Sequence, residues 1–363
     1  MHALITDPQL TPVLEKVSAG VRLDAADALA LYHSHDIIGI GHLADSVRRK
    51  RHGNKAFFVY NQHVNYTNVC VNHCRFCAFS RRKGEDGGYV MTLDDVAEKL
   101  NARIDEPIRE IHMVGGINPE LPFSYYLDLM ETIRTIRPDA TIKAFTAVEI
   151  DHLAKISGLS LEDAIQTLKN AGLAMLPGGG AEVMNTRVHD ALFPRKIGHE
   201  RWLEVMRSIH AAGLTSNATM LYGHIETIEE RVEHLLLLRS LQDETHGFTA
   251  FIPLAFHSGN TRLSHLPATT AHDDLKAIAI ARLVLDNFDH IKAYWVMIGE
   301  KLAQIALNFG ADDLDGTIIE EKITHMAGAT SSKGLTRERL EDMIRSGGFE
   351  PVERDSFYNK AEG

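Results

Sequence analysis

Residues 56–77 read Ala-Phe-Phe-Val-Tyr-Asn-Gln-His-Val-Asn-Tyr-Thr-Asn-Val-Cys-Val-Asn-His-Cys-Arg-Phe-Cys. The first ten, rich in aromatic and β-branched residues, predict a strand that opens into a loop carrying Cys70, Cys74 and Cys77. These are the only 3 cysteines in a chain of 363 residues. An odd number of thiols in one short loop cannot build a disulfide framework, so the cluster points to a metal. Three thiolates fall one short of a closed zinc site and one short of the four corners of a cubane iron–sulfur cluster. Zinc would need His73, cramped beside Cys74, or a distant histidine. A simple electron-transfer cluster would need a fourth cysteine, and the chain has none.

Outward from this stretch the chain alternates short strand patterns with amphipathic helical ones, the signature of βα units around a parallel sheet. Further strands are expected at 109–114, 141–147, 173–176, 215–221, 247–253 and 291–296, with a weaker eighth at 312–317. Helix starts are legible at Thr92 and Ser160, each followed by acidic residues that complement the helix dipole. Leu129, Ile133 and Ile136 mark a buried stripe ended by Pro138. The expected fold is α/β, a (β/α) TIM-type barrel over residues 55–320. Residues 1–54 form a helical N-terminal extension and 321–363 a C-terminal helix with an extended tail. The basic run Arg48-Arg-Lys-Arg51 reads as a solvated helix end.

Composition adds exclusions. Lys and Arg number 38 against 49 Asp and Glu, a net charge of -11, which disfavours a nucleic-acid partner. The start Met1-His-Ala-Leu-Ile-Thr-Asp lacks a secretory pattern and no apolar run reaches bilayer length, so a cytoplasmic protein without membrane insertion is expected. The 20 histidines are scattered, and each taken singly reads as surface or core.

The Cys-x3-Cys-x2-Cys spacing, with Phe76 before the last cysteine, resembles the radical S-adenosylmethionine (SAM) superfamily. That resemblance implies a barrel of the radical SAM kind, a 4Fe-4S cluster on the three cysteines, and SAM chelated at the open iron. It gives the loops that follow other strands their roles, because barrel sites gather at the C-terminal strand ends. Gly115 and Gly116 let backbone approach a ligand and correspond to the superfamily's contact with the methionine amino group. Glu149 and Glu182 are candidates for the adenosyl ribose, with an acidic first-turn position as the alternative for each. Arg187 and Arg195 suit a carboxylate of methionine or substrate, or surface ion pairs.

Longer strings narrow the resemblance. Asn65-Tyr-Thr-Asn-Val-Cys, Gly115-Gly-Ile-Asn-Pro-Glu, Pro177-Gly-Gly-Gly-Ala-Glu, Gly223-His-Ile-Glu-Thr and Ile318-Ile-Glu-Glu are similar to the group of futalosine-pathway and deazaflavin-forming enzymes. Lys143-Ala-Phe-Thr-Ala-Val-Glu and Phe251-Ile-Pro-Leu-Ala-Phe-His look most like the aminofutalosine synthase family within it. The resemblance implies that SAM is consumed: a 5′-deoxyadenosyl radical adds to the enolpyruvyl double bond of 3-[(1-carboxyvinyl)oxy]benzoate, fed by an external donor such as flavodoxin or ferredoxin. A sister enzyme that only abstracts hydrogen is the alternative, and a noncatalytic metal or redox protein the remote one. Lys143, His257, Arg187 and Arg262 are the candidates for the two substrate carboxylates.

Overall fold

The structure is a computed structural model, described here over residues 5–361. The outermost ends of the two expected terminal additions, 1–4 and 362–363, lie outside the described residues, as does the beginning of the Met1-His-Ala-Leu-Ile-Thr-Asp stretch. The strands are β1 Lys55–Val59, β2 Asn61–Val64, β3 Glu110–Met113, β4 Thr141–Ala144, β5 Leu173–Leu176, β6 Thr215–Tyr222, β7 Phe248–Ala255, β8 His290–Ile291, β9 Asp313–Gly316 and β10 Glu350–Arg354.

Strands β2 to β8 form one parallel sheet in chain order, each neighbour reached through a helical connection. This is the expected TIM-type architecture, as a partial barrel. Its seam is spanned by β9 and the residues after it, which make isolated parallel bridges just beyond β8, at Lys292 with Asp313, and to β2, at Gln62 with Ile319. The expected eighth strand therefore exists and sits where closure demands it. It also belongs to a second, three-stranded sheet ordered β10-β1-β9.

Three strand expectations change in detail. The run 56–65 is two strands, not one, divided at Tyr60, whose carbonyl accepts from Arg109 N at 2.8 Å. Beyond it Asn61 turns into the barrel seam, where its N–H donates to Thr317 Oγ1 at 3.0 Å. Strand β4 stops at Ala144 because Phe145 takes a φ of 60° and Thr146 caps the helix Ala147–Ser157. Strand β8 holds only two residues, since Lys292 N still donates to Phe251 O of β7 while Ala293 N has switched to Asp313 O of β9. The chain then turns into the helix Trp295–Ile298.

The helices start where their caps predict. Thr92 and Asp95 form a capping box, Ser160 accepts from Asp163 N, and Asp24 and Asp27 form another box. The helix Ala271–Val284 is buried nearly all round, which a one-sided stripe would not give. It lies between β7 and the N-terminal helix Ile37–His52, so the N-terminal extension covers it. The basic run ends that covering helix, but Arg48 is not solvated: it is fully buried, donates to Gly53 O at 2.9 Å and lies over the Phe349 ring. Burial of a neighbouring face, not the local sequence, decides that.

Candidate active site

One cavity of about 340 Å3 opens at the C-terminal ends of the barrel strands, and all three cysteines line it. Their loop is pinned from several sides. Cys70 N donates to Arg81 O at 3.0 Å, Val71 N to Ile117 O at 3.0 Å and Arg75 N to Leu192 O at 2.8 Å. Phe76 packs edge-on against Phe193 at 5.9 Å. Burial raises the Cys74 thiol to about 12 and pushes Cys77 up as well, so both are set to be thiols unless a metal takes the charge. Among the described residues the only trio of His, Cys, Asp or Glu ligand atoms within 4.8 Å of one another is His52, His290 and Asp312, far along the chain from the cysteines. The sulfurs are thus not gathered for a single ion, and His73 is not among the lining residues. Three half-buried thiols on one loop of the cavity wall fit the corners of a cluster.

Gly115 lines the cavity, and Gly116 lies directly beneath the cysteine loop. A Cβ on Gly116 would meet Val69 O at 2.2 Å and Cys70 Cβ at 3.0 Å. A Cβ on Gly115 would meet the Tyr66 ring at 2.5 Å. The glycines are needed for packing of the loop.

Glu149 is at the cavity wall but engaged within the protein. Its Oε1 accepts from Tyr66 Oη at 2.6 Å and from Gly115 N at 3.0 Å, and its Oε2 from Thr146 N at 2.7 Å. Of roughly four acceptor positions on a carboxylate, three are used. It is thus the first-turn acid of its helix and also the brace of the glycine turn. Burial raises its pKa, against the hydrogen bonds that hold the ionised form.

Glu182 also lines the cavity and pairs with Lys196, whose Nζ lies 5.6 Å from the Phe76 ring centre and 5.2 Å from that of Phe193. Burial opposes the Lys196 charge, but Glu182 outweighs it and raises the ammonium pKa. Sequence reasoning missed Lys196. Set beside Arg195 after a proline, it has the appearance of a surface cation.

The other candidates separate. His257 lines the cavity and bonds through Nε2 to Met297 O at 2.8 Å. Lys143 does not line it: the side chain is 2% exposed and its Nζ lies 3.3 Å from Glu110. Arg187 points outward, held by Glu230 at 2.6 and 2.8 Å and by Ile225 O at 2.8 Å. Arg195 and Arg262 are exposed and outside the lining. The far wall comes from residues the sequence left unmarked, including His63, His112, Tyr294 and Asp315, and continues past residue 320 through Glu321, Thr324 and Ala327. The C-terminal addition therefore meets the barrel at the site itself.

Comparison with known proteins accords with this geometry. The Radical SAM superfamily profile matches residues 64–238 and the CofH/MqnC C-terminal region profile residues 245–362. The aminodeoxyfutalosine synthase of Thermus thermophilus is 46% identical over 360 residues, 98% of this chain and 97% of the relative. The chain belongs to the aminodeoxyfutalosine synthase family of the radical SAM superfamily. The family member from Streptomyces coelicolor is 42% identical over 95% of this chain and 92% of its own, whereas the cyclic dehypoxanthine futalosine synthase of that organism is 37% identical over 96% and 88%. Among solved structures, methylornithine synthase superposes with a TM-score of 0.75 at 17% identity, covering 93% of this chain and 96% of that one. The FeFe-hydrogenase maturase HydG of Carboxydothermus hydrogenoformans gives 0.74 at 16%, covering 96% and 80%. These two share the fold. The superfamily uses a 4Fe-4S cluster and SAM, and Cys70, Cys74 and Cys77 fit its motif.

Proposed function

We propose that this chain is an aminodeoxyfutalosine synthase of menaquinone biosynthesis. It joins the adenosyl 5′ carbon of SAM to the enolpyruvyl double bond of 3-[(1-carboxyvinyl)oxy]benzoate, giving 6-amino-6-deoxyfutalosine with loss of methionine and bicarbonate. The observation that carries the reading is the near full-length 46% identity to the Thermus thermophilus enzyme, in a chain whose three cysteines line one barrel cavity.

Cys70, Cys74 and Cys77 would hold the cluster, which when bound would supply the electron for cleavage of the sulfonium. The chain's own residues position and shield. Gly115 and Gly116 present backbone to the methionine end, braced from behind by Glu149. Glu182, paired with Lys196, is the better candidate of the two glutamates for ribose hydroxyls, since its pairing leaves acceptor positions free. Val114, Leu221, Ile252, Leu254 and Phe256 make the wall apolar, which keeps water from a carbon radical. A radical addition needs no nucleophile, and orientation is the main service a site can give it.

The catalytic unit in this reading is residues 55–320 together with the start of the C-terminal addition, the N-terminal helices bracing it from outside. A flavodoxin or ferredoxin would deliver the electron, in the cytoplasm. Among the described residues no helix is long and apolar enough to cross a membrane. The test is an anaerobic reaction of the reconstituted protein with the enolpyruvyl benzoate and SAM labelled in the adenosyl group. Label in a futalosine-type product is expected; free 5′-deoxyadenosine in proportion to turnover would instead indicate a hydrogen-abstracting enzyme.

A further inference from the structure

His63 of β2 and His112 of β3 are direct register partners, so both side chains enter the barrel interior at one level. Their rings stack at 4.4 Å with an interplanar angle of 7°, and both line the cavity. Neither ring makes a hydrogen bond to protein among the described residues; the nearest carboxylate contact is His112 Nδ1 to Glu110 at 4.0 Å. Two adjacent imidazoles with free nitrogens thus face the space where substrate must lie.

Around and beneath them the barrel holds a cluster of ion pairs, of which Asp315 reaches the cavity wall. Lys143 meets Glu110 at 3.3 Å, Lys292 meets Asp315 at 3.4 Å, and Arg354 meets Asp313 at 2.6 Å. Three cations answer three carboxylates, and no positive charge is left over. Around the cavity itself Lys196 is the one Lys or Arg among the described lining residues, and Glu182 already neutralises it. A ligand with two carboxylates therefore finds no free cation at this site. The stacked pair can supply one by taking up a proton.

We propose that His63 and His112 form a subsite for an aryl carboxylate, the ring carboxylate of the substrate, and that the pair takes up one proton as that carboxylate docks. The name of the substrate rests on the synthase reading above; the need for a proton rests on the cavity alone. The orientation follows from depth. The cysteines stand on the loop beyond the end of β2, whereas His63 is on β2 itself, so the reacting end of the substrate faces the loop and the ring carboxylate faces the pair. Burial keeps both rings neutral in the free protein, assisted at His112 by His63 and Lys143, while Glu321, Asp315 and Glu110 favour the charged form of His63. An incoming carboxylate adds to that second group. Binding with proton uptake weakens as pH rises, by about tenfold per pH unit for one proton.

The experiment is calorimetric titration of cluster-loaded, SAM-bound protein with the enolpyruvyl benzoate, without reductant, in buffers of different ionisation enthalpy. About one proton taken up per ligand near pH 8 is expected. His63→Gln and His112→Gln should abolish the uptake and weaken binding about tenfold, with SAM affinity and iron content retained. The proton count on the wild-type protein needs no variant to fold. No uptake by wild type, or unchanged uptake and affinity in both variants, overturns the subsite. A protein that binds benzoate with proton uptake but forms no adenosyl adduct keeps the subsite and removes the synthase reading. Adduct formation without uptake does the reverse.

Discussion

Lys196 and Glu182 are each about nine-tenths buried, and neither has another partner of opposite charge among the described residues. Removing one leaves the other charged in a low-dielectric wall, which costs about 3–5 kcal/mol. Lys196→Met should therefore lower the urea unfolding free energy of the cluster-free protein by about that much, and adding Glu182→Gln should restore much of it. Glu149→Gln tests a different dependence. An amide oxygen can serve Tyr66 and Gly115, but the amide nitrogen then confronts the Thr146 N–H, donor against donor. A loss of about 1–3 kcal/mol in the same assay is expected, with weaker SAM binding by equilibrium dialysis as the glycine turn relaxes.

At the scale of elements, the loop after β2 and the turn after β3 are one assembly. Gly116→Ala drives a methyl into the Val69 carbonyl, which is backbone and has no rotamer to escape by. The expected result is a severalfold fall in iron retained after reconstitution, with the far-ultraviolet circular dichroism of the cluster-free protein unchanged. Strand β10 plays the matching part at the other end of the barrel. It pairs with β1, sends Arg354 to Asp313, and is followed by Ser356, which donates to Glu110 at 2.8 Å. The tail thus closes the bottom of the barrel whose top is the cavity. Arg354→Met should destabilise the protein by about 3–5 kcal/mol in urea unfolding, because it strands a buried aspartate 40 residues or so away in sequence.

For the molecule as a whole, buried ionisable groups set the acid limit. Burial depresses His210 to about 4 and His234 to about 3, so the unfolded chain binds protons there first, below its ordinary histidine value of 6.5. Burial alone would push Glu110 and Asp312 up, but Lys143 and Lys292 hold the first, and His290 and Arg282 the second, well below the ordinary carboxylate range. In both classes the folded pKa lies under the unfolded one, so stability is complete above the unfolded value and is lost as pH falls. The urea midpoint should begin to drop below about pH 6.5 and steepen below about 4.5, where the carboxylates join; a midpoint that stays level to pH 4 would contradict this. Glu149 and Asp274, raised by burial, work in the opposite direction but are outnumbered by the carboxylates held low.

The cysteine loop, the order of the βα units and most helix caps were legible in the chain, because each depends on residues a few positions apart: a thiol spacing, a period, a cap and its acid three residues later. Gly115, Glu149 and Glu182 were placed at the cavity by the same logic, since a βα loop follows its strand directly. Long-range placement was not legible. Lys143 looks like a free cation until β3 sets Glu110 beside it, and Arg187 like a ligand until Glu230 claims it. Lys196, His63 and His112 looked ordinary, and register and loop packing brought them to the cavity. The sequence by itself determined that three thiols share one loop at the end of a parallel strand, since spacing and count are local and covalent. Only the tertiary structure decided which charges are already neutralised and which polar groups are still open to a ligand, because that balance is struck between strands that the chain separates by tens to hundreds of residues.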